Sequence, residues 1–253
     1  MISSSFRQAV RARNRLAGTF VKTASHQTVE VLGTSGLDFI VIDAEHAPFS
    51  QNALDICLLA ARATQLPALV RIADSQPATI LQALDMGATG LLVPHAKTVA
   101  GIQAVLACTR YRGGSRGFSN SSRAGQYGLT PMLPLVDAAD RDVAVVFQIE
   151  DREAVEAIET LAALKEVDGF LIGRADLAVS YGVFDPAHPE VYAATVRICQ
   201  ACVALKRPVG MFLANLSELD EWIQRGVSFF VIGSDQAYLR AGASATASQV
   251  RSA

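Results

Sequence analysis

Six places in this sequence put ionisable or amide side chains directly after short apolar runs. They are Asp43-Ala-Glu45-His46, Arg71, Pro94-His95, Gln148-Ile-Glu150, Gly173-Arg-Ala175-Asp176 and Asn215. Glu150 and Asp176 form the first pair of interest. Two carboxylates with no cysteine and few histidines nearby suit a hard, oxygen-preferring divalent ion such as Mg2+ or Mn2+. An ion held by only two protein ligands keeps positions open for water and substrate. The competing structural roles are a salt bridge from Glu150 to Arg152 and helix N-capping by Asp176.

His46 lies close to Asp43, and a carboxylate can orient an imidazole and keep it basic. Its plain alternative is a capping or loop histidine. Arg71 closes an otherwise apolar run, Ala-Leu-Val-Arg-Ile, so it needs an anionic partner, either a protein carboxylate or a substrate oxyanion. His95 and Lys97 are weaker candidates, and His26 and His188 read as surface loop residues.

These groups need a scaffold that brings them to one rim. Apolar runs of strand character recur at Gly18–Val21, Phe39–Asp43, Ala68–Ile72, Gly90–Pro94, Val143–Ile149, Gly169–Ile172, Val209–Leu213 and Phe229–Ile232. Near-continuous Val, Ile, Leu and Phe is the pattern of parallel strands buried on both faces. Helical spacing fills the gaps at Thr28–Gly36, Gln51–Thr64, Pro77–Met86, Val99–Cys108, Arg152–Leu164, Pro189–Leu205 and Ser217–Arg225, with a last helix from about Gln236. Strands alternating with helices in this way predict an α/β chain folded as a single (β/α)8 TIM barrel over residues 1–253. The first 17 residues carry Ser3, Ser4, Arg7, Arg11 and Arg13 but no apolar leader core, and are expected to form a short N-terminal helix covering one end. A doubly wound open sheet would usually carry a Gly-rich turn after its first strand, where this chain has Val21-Lys-Thr-Ala. The stretch from Arg110 to Asp142 is expected to be one long irregular, functional loop.

Composition limits the partners. The 253 residues are 51% hydrophobic and 18% charged, with a formal net charge of −2. That balance excludes a disordered chain and gives no electrostatic footprint for nucleic acid or an anionic membrane. No apolar run reaches the ~20 residues a membrane span needs. Cys57, Cys108, Cys199 and Cys202 are too few and scattered for a disulfide scaffold, and Cys199-x-x-Cys202 reads as two small residues on a helix face. The expected location is the cytoplasm.

Asp43-x-Glu45-His46-Ala-Pro, Arg71, Leu-Leu-Val-Pro94, Gln148-Ile-Glu150 and Ile-Gly173-x-x-Asp176-Leu, in this order, resemble the HpcH/HpaI family of class II pyruvate aldolases. The resemblance runs from about residue 5 to 245. It implies that Glu150 and Asp176 hold a divalent ion (Mg2+, Mn2+ or Co2+) that pyruvate or its enolate chelates. His46, paired with Asp43, would handle protons. Arg71 would stabilise the enolate oxygen, Gln148 would hold the pyruvate moiety, and backbone amides from Gly173 through Ala175 to Asp176 would receive its carboxylate. The resemblance also implies a homohexamer, a trimer of dimers, in which Asp85 approaches a neighbouring subunit's site. The implied reaction is reversible cleavage of 4-hydroxy-2-oxo acids to pyruvate, or a related 2-oxo acid such as hydroxypyruvate, and an aldehyde. Two departures stand out: Arg174 where the family often has Pro, and the loop Arg116 to Gly125.

Cleaving a carbon–carbon bond beside a ketone needs an electron sink, either a lysine imine or a metal ion. Lys22, Lys97, Lys165 and Lys206 are the only lysines; none falls within a predicted strand and none is expected to reach a strand end, which favours the metal. The alternatives are a citrate-synthase-like or CoA-ester lyase of the same superfamily, a phosphoenolpyruvate-type mutase or lyase, a phosphate-binding barrel isomerase, and a non-catalytic 2-oxo acid binding barrel.

Overall fold

The computed structural model describes residues 2–252, with side chains from Phe6 onward. Eight parallel strands close on themselves in sequence order. They are β1 (Leu16–Val21), β2 (Phe39–Asp43), β3 (Ala68–Arg71), β4 (Gly90–Val93), β5 (Ala144–Ile149), β6 (Gly169–Ile172), β7 (Val209–Leu213) and β8 (Phe229–Ser234). This is the (β/α)8 barrel that the sequence predicts, and β1 pairs with β8 to close it.

Around it run α1 (Ile2–Arg11), α2 (His26–Gly33), α3 (Gln51–Ala63), α4 (Pro77–Asp85), α5 (Val99–Thr109) and α6 (Met132–Asp142). Then come α7 (Arg152–Glu156), α8 (Ile158–Ala162), α9 (Arg174–Tyr181), α10 (Pro189–Ala204), α11 (Leu219–Gln224) and α12 (Asp235–Ser252). The starts have local causes. Hydroxyls of Ser50 and Thr98 cap α3 and α5 by accepting the N–H groups of Ala53 and Gly101, and Pro77 and Pro189 occupy first-turn positions that need no N–H donor. The stretch from Arg110 to Asp142 is not one irregular loop, because it contains α6 and a 3-10 turn at Arg123–Gly128.

Strand alternation sorts the side chains into two cores. Outward residues such as Ile40, Ile42, Val70, Phe147 and Ile172 pack against the helices. Inward residues Phe20, Phe39, Val41, Leu69, Leu92, Val146, Leu171, Phe229 and Val231 fill the barrel. Gly210 is needed there, since a Cβ at this position would come within 2.2 Å of the Phe229 ring.

The N-terminal end of the barrel is closed by α1, which places Phe6 and Val10 on the inner core. Arg7 and Arg11 explain themselves here. Both reach the fully buried Asp168, at 2.8 and 2.7 Å, and the other oxygen of that carboxylate accepts the Val145 N–H. Burying this carboxylate is tolerable because both oxygens are satisfied. Among the described residues, no helix is long and apolar enough to cross a membrane.

Candidate active site

Continuing the inward alternation past the last apolar layer leads to Lys22 after Phe20, Asp43 after Val41, Arg71 after Leu69, and Gln148 with Glu150 after Val146. The C-terminal mouth is therefore polar because the inward register runs off the end of the hydrophobic code. A cavity of about 390 Å3 opens there, lined by Lys22, His46, Arg71, Gln148, Gly173 and Asp176 among others.

One wall is an ion-pair network. Asp43 has no exposed surface, and Arg71 grips it through Nε at 3.0 Å and Nη2 at 2.7 Å. Arg71 Nε also lies 3.3 Å from Glu45, and its guanidinium stacks 4.6 Å from the Phe20 ring centre. Lys22 Nζ stands 3.4 Å from the second oxygen of Asp43. Burial pushes the Asp43 carboxyl up, but the Arg71 fork, the His46 N–H and Lys22 outweigh that and hold it below the ordinary value.

A second wall holds the other carboxylate pair, and the His95 ring joins it to the first, 3.8 Å from Glu45 and 3.5 Å from Glu150. Glu150 is 2% exposed; its Oε1 accepts the His95 N–H at 2.9 Å, and its Oε2 accepts the Gln148 amide. Burial, then the nearby Asp176 charge, push its pKa up to about 7 against the opposing His95 N–H. Asp176 sits in the first turn of α9, with Gly173 at the N-cap position. Gly173 keeps this wall open: a Cβ there would fall 2.7 Å from Gln148 Nε2 and 2.9 Å from Glu150 Oε2.

Neither structural alternative for the pair is adopted. Arg152 pairs with Glu156 rather than Glu150, and Asp176 lies inside the helix rather than at its N-cap. Among the described residues no group of three or more Cys, His, Asp or Glu is arranged to hold a metal. The pair itself fits one. Its donors are oxygens, the charge repulsion that raises Glu150 is what a cation would relieve, and the neighbouring Gln148 Oε1 is buried with no partner.

Two sequence expectations need correction. The Asp43 carboxylate does not orient the His46 imidazole; it accepts the His46 backbone N–H at 3.1 Å, its oxygens being committed to Arg71. The His46 ring, 54% exposed, lies 3.6 Å from Glu45 instead. Nor are strand ends free of lysine, since Lys22 directly follows β1 and lines the cavity. Its ammonium is held at Asp43 rather than presented free. Asp85, the last residue of α4, binds Arg116 of its own chain at 3.0 Å and does not line this cavity. Ala175 does.

Glu45 and His95 carry more of the site than their residue types suggested. Glu45 is shared by Arg71, the His46 ring and, at 3.8 Å, the His95 ring. Strand register could have found Glu45, two residues beyond inward Asp43; nothing in local sequence marks the backbone role of His95.

Comparison with known proteins shows a carbon–carbon lyase of the class II aldolase kind. The chain belongs to the HpcH/HpaI aldolase/citrate lyase family, whose description matches residues 16–241. It is 31% identical to the 5-keto-4-deoxy-D-glucarate aldolase of Salmonella arizonae, over 94% of this chain and 93% of that one. The enzyme of the same name from Klebsiella pneumoniae is also 31% identical, over 93% and 92% of the two chains. Among solved structures, an HpcH/HpaI aldolase/citrate lyase family protein from Burkholderia cenocepacia superimposes with a TM-score of 0.94 at 29% identity, covering 98% and 99% of the two chains. The citrate synthase SbnG gives 0.87 at 26% identity, covering 97% of each.

Proposed function

We propose that this protein reversibly cleaves 4-hydroxy-2-oxo acids to pyruvate, or a related 2-oxo acid such as hydroxypyruvate, and an aldehyde. The observation that supports this reading is a single cavity lined by Arg71, which grips Asp43, and by Asp176 and Gln148, whose amide binds Glu150. Glu150 and Asp176 would hold Mg2+, Mn2+ or Co2+, which supplies Lewis-acid polarisation of the 2-oxo group when bound. Gly173 brings backbone close enough for the N–H groups at the start of α9 to receive the 2-oxo acid's carboxylate. Gln148 would hold the 2-oxo acid moiety beside them.

Arg71 faces the developing enolate oxygen. Its Nε and Nη2 are committed to Asp43, which fixes the plane of the guanidinium. Among the described residues Nη1 has no partner, so it is the donor left for an oxyanion, in a pocket where such a donor acts strongly. His46, exposed at the rim and 3.6 Å from Glu45, would take the proton from the acceptor-side hydroxyl in cleavage and return it in condensation. The long, exposed α12, with Leu239 76% and Val250 73% exposed, supports assembly into a homo-oligomer, a trimer of dimers in this reading. In that assembly Asp85 would approach a neighbouring copy's site.

Metal stripping should abolish pyruvate release from a 4-hydroxy-2-oxo acid, and Mg2+, Mn2+ or Co2+ should restore it. Borohydride with pyruvate should leave no covalent adduct on Lys22; a pyruvate-dependent mass increase would overturn the metal assignment. The likeness to SbnG favours one second reading, condensation of an enolate donor with a 2-oxo acid at the same site. Product analysis separates the two.

A further inference from the structure

We propose that His95 is a positioning residue for Glu150 through its backbone rather than its ring. The inference rests on Glu150 being a metal ligand, as proposed above. Pro94 ends the β4 run, and His95 then takes a left-handed backbone with φ +54. Residues with side chains seldom adopt that conformation, and it persists only where the surroundings impose it. Here it turns the His95 N–H onto Glu150 Oε1 at 2.9 Å. With Gln148 on Oε2, both oxygens of the buried carboxylate are then fixed, and its face toward Asp176 is set.

The clamp on this conformation is Asp151. This residue occupies the N-cap position of α7 yet makes no capping hydrogen bond with its side chain. Instead Oδ2 meets His95 Nδ1 at 3.0 Å, and Oδ1 meets Lys97 Nζ at 2.9 Å. Asp151 thus gives up its usual capping contact and pins the ring of the residue whose N–H holds its own neighbour, Glu150. The ring is 56% exposed; its Nδ1 is engaged by Asp151 at 3.0 Å and lies 3.5 Å from Glu150 Oε1, beyond the 2.9 Å of the backbone N–H.

The substitutions that separate backbone from ring are His95→Asn and His95→Gly, which tolerate positive φ, and His95→Val, which does not. Metal-stripped protein would be titrated with Mn2+ by calorimetry at fixed pH and salt, with circular dichroism to verify the barrel. His95→Asn and His95→Gly should stay within a few-fold of the parent affinity. His95→Val should bind about 10–100-fold more weakly, the usual range for losing a group that orients a metal ligand. Asp151→Ala should shift affinity in the same direction, and it carries the test if His95→Val does not fold. Glu150→Gln is run alongside. If it loses binding while His95→Val keeps it, the backbone role is wrong and the metal assignment stands. If Glu150→Gln and His95→Val both bind as the parent does, the metal assignment falls and this inference with it. A loss in His95→Gly as large as that in His95→Val would put the function in the ring and overturn the proposal.

Discussion

Removing Arg71 should separate a structural from a catalytic role within one residue. Arg71 is 4% exposed and makes two charge-assisted bonds to Asp43, which has no exposed surface. Truncating one partner of a buried pair generally costs about 3–5 kcal/mol, because the other charge stays buried. In Arg71→Ala, Asp43 keeps the His46 N–H and Lys22 at 3.4 Å, so the loss belongs at the lower end, about 3 kcal/mol. For a chain of this size that lowers Tm by roughly 6–12 °C. Adding Asp43→Asn removes the orphaned charge and should return much of the stability, a coupling that a double-mutant cycle measures. Catalysis should behave differently. Deuterium exchange into the methyl group of pyruvate and aldol cleavage both develop charge on the enolate oxygen, so each should fall by about 10²–10³ in Arg71→Ala. Both should stay low in the Asp43→Asn, Arg71→Ala double variant. Arg71→Lys should rescue only in part, since a point charge cannot reproduce the planar fork. Exchange at the parent rate in Arg71→Ala, or recovery of exchange together with stability in the double variant, would refute the assignment and leave Arg71 as a partner for Asp43 alone.

Glu150→Ala and Asp176→Ala should each weaken Mn2+ binding sharply in calorimetry while the barrel stays folded; unchanged affinity in both would misplace the site. Asp168→Asn at the opposite end should lower Tm by several degrees by leaving Arg7 and Arg11 without their shared carboxylate, with kcat/KM unaltered. Asp43 titrates below the ordinary 3.8, so its stabilisation is complete above that value and is lost as pH falls through the lower folded-state value. Acid unfolding followed by circular dichroism should therefore lose its steepest part below pH 3.8 in Asp43→Asn; an unchanged acid limb would contradict the shift.

The barrel is legible where apolar runs are uninterrupted and sharply bounded. The predicted spans of β2, β6 and β7 coincide with the observed ones because both faces are buried, so burial rather than alternation defines them. The helices that escaped notice lack those bounds. α6 follows a Gly, Ser and Arg-rich stretch and buries only Leu135 and Asp142, so its pattern looks like more of the same loop. α9 follows the Gly173 N-cap with no linker after β6, and the polar residues of its first turn, Arg174 and Asp176, mask the short Leu177-Ala178 face that marks a helix. The predicted helix at Arg152–Leu164 is interrupted at Ala157, where α7 stops before α8 begins.

Residue types pick out most of the side chains gathered at the candidate site, and strand register explains which of them meet. Asking which side chains are ionisable singled out Asp43, His46 and Arg71, but it could not say which of them touch. Counting by twos from the inner core does so: Phe20 leads to Lys22, Val41 to Asp43 and Leu69 to Arg71, while His46 falls out of register. The same count brings a lysine to a strand end that contains no lysine within the strand itself. It also explains why Asp43 is committed to Arg71, because β2 and β3 pair with Asp43 and Arg71 as direct partners across the sheet. An arginine and a carboxylate at paired positions, both facing the barrel interior, meet before any histidine on the following turn can compete. What register cannot supply is a backbone donor such as the His95 N–H. That contact depends on one residue adopting positive φ beyond the end of β4, and the side chain that stabilises it, Asp151, lies 56 positions away along the chain.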